Sequence, residues 1–127
     1  MAVVEFFRGQ SLTVENGSSV TVCSPAYPMA AANWVDFTLN VLKLKKTGGN
    51  VVLHYAIQTS ITGGDEEWVD AATLGGDVSL PGPVQKTASA RGILVRGWAK
   101  LELASGLATD IAFTTFDMIA NVTRSAG

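Results

Sequence analysis

One imidazole and one thiol hold most of the nucleophilic and metal-binding capacity of this sequence, and they stand far apart. His54 lies between Leu53 and Tyr55 on a segment that alternates like a strand. Acid–base or nucleophilic catalysis needs a nucleophile or carboxylate beside such a ring, and a third group to orient it. Gln58 shares its expected face, but no Ser or Asp stands close on the Val51–Gln58 segment. His54 therefore reads as a strand residue facing solvent or a partner. Cys23 precedes Ser24-Pro25, with no basic neighbour to lower its pKa and no second cysteine. It reads as a small buried hydrophobe. One Cys and one His cannot fill a tetrahedral zinc site, so no metal and no cofactor is expected.

The remaining polar groups are equally sparse. Asp65-Glu66-Glu67 with Asp70 is the densest acidic group. It lacks the D-x-[DN]-x-[DN]-G spacing of a calcium loop and reads as a solvated turn before a strand. A glycosidase pair would need two carboxylates at a defined separation in a cleft. Lys43, Lys45 and Lys46 form a small basic tip, too few for useful phosphate affinity and well suited to guarding a strand edge. Trp34, Trp68 and Trp98 fit either a sugar-stacking platform or core and interface anchors. Strand parity places Trp98 with Arg96, Lys100 and Glu102, away from the apolar face: exposed, an anchor between subunits, or covered by a loop. Asn16-Gly-Ser18 and Asn121-Val-Thr123 match the glycosylation sequon, which means little without a secretory signal.

Composition points the same way. The chain has 127 residues, a net charge of −2 and no basic excess to draw in nucleic acid. It is 47% hydrophobic but only 16% charged, against about 25% in soluble domains. Charge keeps a free sheet surface from sticking, so its scarcity suggests surface covered by neighbours in a homo-oligomer or larger assembly, with a plain monomer of small-residue surface as the alternative. A single cysteine permits no internal disulfide. MAVVEFFRGQ has no basic region ahead of its apolar residues, so synthesis in a cytoplasm is expected. No segment approaches the ~20 apolar residues of a membrane span, and no membrane partner is expected.

The elements that carry these residues are strands. Leu12–Glu15 and Ser19–Val22 alternate around Asn16-Gly17, which predicts a hairpin. Val35, Phe37, Leu39 and Val41 share a face, and a bulge near Leu42 would explain the change of phase before Leu44. Thr47-Gly-Gly-Asn50 then leads into Val51, Leu53, Tyr55 and Ile57, predicting a second, central hairpin. A short strand over Trp68–Thr73 and a weak one over Val78–Leu80 lie in a long loop region. Ile93, Val95, Ala99, Leu101 and Leu103 share the face of the next long strand. Ile111–Thr123 closes the chain, with a phase slip between Phe113 and Phe116. The expectation is all-β: an antiparallel β-sandwich, jelly-roll-like, of eight or nine strands in one domain over residues 1–127. Met1–Phe7 is apolar and reads as a strand or an arm, and residues 1–9 are the candidate N-terminal arm. Val3, Val4, Phe6 and Phe7 on that arm, together with Trp98, are the expected interface, so deleting 1–9 would abolish assembly without unfolding the domain.

Two stretches resemble small virion proteins of tailed bacteriophages. Tyr55-Ala-Ile-Gln-Thr-Ser60, a Gly/Asp turn and Glu67-Trp-Val-Asp70 match a strand ending in QTS that leads into W-x-D. Arg91-Gly-Ile-Leu-Val-Arg96 and Ile111-Ala-Phe-Thr-Thr-Phe116 resemble the second half of such proteins. The resemblance covers residues 35–122. It implies a β-sandwich subunit of a phage particle, a capsid decoration or cement protein that braces a lattice of major capsid protein as a dimer or trimer, located in the virion and not an enzyme. It carries over no catalytic residue. A carbohydrate-binding β-sandwich using Trp98 or Trp68 and a tail or fibre component are the alternatives.

Overall fold

The structure is a computed structural model that describes residues 2–29, 33–63, 67–71 and 74–124. It contains ten strands and, among the described residues, no helix: β1 Ala2–Glu15, β2 Ser18–Cys23, β3 Tyr27–Pro28, β4 Asn33–Lys46, β5 Asn50–Ser60, β6 Trp68–Asp70, β7 Gly76–Val78, β8 Gly82–Ala90, β9 Leu94–Ala104 and β10 Ile111–Arg124. One sheet runs β1-β10-β4-β8, and the other β2-β9-β5-β6 with β3 on β9 and β7 on β5. Every pairing is antiparallel. The expected antiparallel sandwich forms, with ten strands in place of eight or nine. β3 and β8 are additional, and the two apolar N-terminal segments are one strand.

Both expected hairpins are replaced by crossovers. β1 pairs with β10 while β2 pairs with β9 in the opposite sheet, and β4 and β5 part in the same way. The connections β8 to β9 and β9 to β10 also change sheets. This order is that of a jelly roll, two Greek keys wrapped into a two-sheet sandwich. Asn-Gly serves here as a corner: Gly17 takes a positive φ of 83°, and the Asn16 side chain is used across the molecule. Its Oδ1 accepts from Gly106 N at 2.8 Å, and its Nδ2 donates to Gly106 O at 3.1 Å.

Three crossovers meet at this end of the sandwich. Asn16 N donates to Asp110 O and Thr47 N to Ile111 O. The Asp110 carboxylate accepts from Thr47 Oγ1 at 3.0 Å and from Leu107 N at 2.7 Å. At Gly49, with φ 80°, a Cβ would lie 2.7 Å from Ala104 O, so a side chain there is excluded by the adjoining crossover.

Between the sheets lies one core. Val35, Phe37, Leu39 and Val41 from β4 face Leu53, Tyr55 and Ile57 from β5, with Phe37 and Tyr55 stacked at 5.9 Å. Each such side chain, fully buried, contributes roughly 1.5–3 kcal/mol. The expected bulge falls at Leu42, which is exposed and skipped in the register with β10. The expected slip in β10 does not occur. Ala112, Thr114, Phe116 and Met118 all point inward, leaving Ile111 and Phe113 on the outer face. The buried Thr114 hydroxyl is satisfied by donating to Lys43 O at 2.8 Å.

The N-terminal segment is not a free arm, which corrects the expectation for residues 1–9. Residues 2–15 form an edge strand paired from Ala2↔Val122 to Glu15↔Ile111. Val4, Phe6 and Phe7 are buried, and only Val3, 67% exposed, points to solvent. Phe7 meets Phe116 edge to face at 5.5 Å. Phe6 crosses to the other sheet, where it packs on Tyr27 and against Gly97. A Cβ at Gly97 would lie 2.8 Å from Phe6 Cβ and 2.6 Å from Met118 Sδ. Two register shifts, around Phe7, put Phe6 and Phe7 both in the core despite their adjacency.

The other edge of this sheet is β8. Its half-buried positions are Val84, Lys86 and Ala88, followed by buried Ala90. Lys86 reaches across the sandwich, donating from Nζ to Gly75 O at 2.9 Å and lying 5.9 Å from the Tyr55 ring centroid. Pro83 and an inward lysine both blunt an edge that would otherwise template pairing with another chain.

Candidate functional site

The outer face of the second sheet carries the most structured concavity. β6 and β7 are two pieces of one edge, pairing respectively with Gln58–Ser60 and Leu53–Tyr55 of β5. Between them Ala71 and Leu74 stand off the edge pairing, and Leu74 is fully buried in the core. Ala71 N donates to Ile57 O and Ile57 N to Leu74 O, so the detour is held by backbone bonds. Gly75 lets the returning chain lie flat on β5: a Cβ there would be 3.0 Å from Tyr55 O and 3.4 Å from Ala56 Cβ. The gap left above Ala56 is a notch of about 360 Å³ lined by His54, Ala56, Asp70, Asp77, Trp98 and Lys100. Trp98 stands directly across from Ala56 in the register, and the small alanine makes room beside the indole.

Neighbouring side chains hold the polar groups of the rim. Arg96 stacks on Trp68 with its guanidinium 4.3 Å from the ring centroid. Its Nε donates to Gln58 Oε1 at 2.8 Å, and Gln58 Nε2 donates to Asp70 Oδ1 at 3.0 Å. On the other side of the notch His54 Nδ1 donates to Asp77 Oδ1 at 2.6 Å. The acceptor-only carboxylate sets the proton on that nitrogen. His54 Nε2 lies 3.6 Å from Glu102, whose other oxygen is 3.9 Å from Lys100 Nζ. Among the described residues of the lining there is no serine or cysteine for the imidazole to activate. Carboxylates, an ammonium and an indole on a shallow shelf suit the binding of a polar ring, by stacking and hydrogen bonds.

The other sequence candidates are dispersed. Cys23 is exposed on β2 opposite Trp98 in the register, so it is not the buried hydrophobe expected. Asp65 and Glu66 lie outside the described residues. Among those described, no three His, Cys, Asp or Glu are grouped to hold a metal ion. Lys43 and Lys45 point outward from β4, and Lys46 turns to Gly49 O at 2.5 Å. Trp34 is exposed on β4. Strand parity had placed Trp98 on the outer face, where it lies. The notch itself had no local signal, because it depends on Leu74 leaving the edge. No helix among the described residues is long and apolar enough to cross a membrane.

No protein-family model matches the sequence, and no curated protein does. The fold has clear counterparts among solved structures. A chain in the structure of infectious bursal disease virus Gx strain superposes with a TM-score of 0.66 at 8% identity, over 99% of this chain and 32% of that one. The VP2 subviral particle of the same virus gives 0.61 at 6% identity, over 97% and 32%. The Gt strain gives 0.61 at 11% identity, over 99% and 32%. The chain thus spans about a third of each of these proteins, and the likeness is one of fold.

Proposed function

We propose that this chain is a non-enzymatic structural subunit of a virus particle, and more specifically a capsid decoration protein of a tailed bacteriophage. It would be made in the host cytoplasm and would act in the virion as a dimer or trimer on a lattice of major capsid protein. The observation that carries this reading is the likeness of fold: chains from infectious bursal disease virus particles superpose on nearly the whole of this chain. The resemblance of residues 35–122 to small phage virion proteins supports the finer assignment.

The outer face of the first sheet supports it as well. Thr38, Asn40, Gln85, Thr87, Thr115 and Asn121 give it many short polar groups around the carboxylates Asp36 and Asp117, and several already pair, as Ser11 Oγ does with Thr115 Oγ1 at 3.0 Å and Thr87 Oγ1 with Asp36 Oδ1 at 2.8 Å. Matching hydrogen bonds from a neighbour would offset the desolvation of such a face. Many copies, each contributing modest contact, make a stable shell through avidity. Val3, exposed on β1, extends this face and is retained as an interface residue.

The deciding experiment measures the mass of the purified protein by light scattering, then its co-sedimentation with expanded shells of the same phage. A dimer or trimer that saturates shell sites is the expected result. A monomer that stays in the supernatant would overturn the assignment.

A further inference from the structure

We infer that the notch between β6 and β7 binds a neutral saccharide ring, stacked on Trp98 and hydrogen-bonded by Asp70, Asp77 and Lys100. The inference does not rest on the virion assignment. Its first ground is size: about 360 Å³ lies at the small end of ligand sites, which run roughly 300–1,000 Å³. Its second is construction. The strand edge is interrupted, Leu74 is buried and Gly75 lies against β5, so a floor is opened at Ala56 beside an indole. Its third is the polar rim, fixed before any ligand arrives. Gln58 holds Asp70 by Oδ1 and His54 holds Asp77 by Oδ1, one oxygen of each carboxylate. Two held carboxylates accept from vicinal hydroxyls, and the Lys100 ammonium donates back.

Charge selects among ligands. An anion would meet Asp70 and Asp77 in the notch, and Lys100, beside Glu102, does not outweigh them. A neutral polyhydroxylated ring uses the acceptors and the donor together, and its C–H face covers the indole. Trp68 is a poorer platform, because the Arg96 guanidinium already occupies one face of its ring.

The test titrates the full chain with lactose, maltose and N,N′-diacetylchitobiose at millimolar concentrations, with sialyllactose as the anionic arm. It is read by the indole N–H resonance of Trp98, assigned with Trp34→Phe and Trp68→Phe variants. At least one neutral disaccharide is expected to shift that resonance saturably. Trp98→Ala should weaken binding about tenfold or more, as should Asp77→Asn. If Trp98→Ala fails to fold, Asp77→Asn and the wild-type resonance decide. Absence of a shift with all three neutral sugars, undiminished binding in Asp77→Asn, or binding of sialyllactose alone would overturn the inference. Shell co-sedimentation is scored separately, so a failure here leaves that result standing and the reverse holds too.

Discussion

Gly97 and Phe6 make a matched pair across the sandwich. The benzyl group enters the space that any side chain at 97 would fill, with Met118 Sδ closing the third side. Gly97→Ala should destabilise by about 1–3 kcal/mol through overpacking, and Phe6→Ala by about 3–5 kcal/mol through the cavity left. Urea unfolding of each variant checks both. Losses of that size are a large share of the roughly 5–15 kcal/mol that holds a domain together. The pair also shows what single residues disclose. Phe6 and Phe7 are adjacent, so simple alternation would bury one and expose the other. The register shifts that bury both depend on the partner strand and leave no local mark, which is why the segment reads as a sticky arm. Trp98 was legible because β9 alternates without interruption from Leu94 to Glu102.

The strands β4, β5 and β9 follow from period-two patterning, since their inward positions are large and apolar. β8 escapes that reading because its inward positions are Val84, Lys86, Ala88 and Ala90, three of them small or charged. Partner choice is less legible still. Asn16-Gly17 and Thr47–Asn50 look like hairpin turns, yet the same dipeptide chemistry serves a chain that arches from one sheet to the other. What decides between them is contact with Gly106, Asp110 and Ile111, about sixty to ninety residues away. Asp110→Ala removes the acceptor for both Thr47 and Leu107 and should cost about 1–3 kcal/mol, read as a lowered melting temperature. Deleting residues 1–9 takes out half of β1 with Val4, Phe6 and Phe7. The expected outcome is loss of the cooperative thermal transition by circular dichroism, in place of a folded protein that no longer assembles.

Taken whole, the molecule is organised by pairings between distant parts of the chain: β1 with β10, β2 with β9, β4 with β10. Closing those loops costs entropy before the contacts that reward it exist. Refolding should therefore take milliseconds to seconds, as in other all-β folds of high contact order. Stopped-flow tryptophan fluorescence would measure it, and microsecond folding would contradict the topology. Fold class was legible at this scale from strand spacing and the absence of a helical period, while the order of strands was not. One pairing reaches into engineering. Ala2 lies opposite Val122, and the knot of crossovers at Asn16, Thr47 and Asp110 sits at the far pole. Cargo joined at Ala2 or at Arg124 would leave from one pole of the sandwich, and both sheet faces would stay bare. A short linker from Arg124 back to Ala2 would give a circular permutant, reopened at the exposed loop around Leu80 between β7 and β8, with the two-sheet sandwich and its knot of crossovers intact.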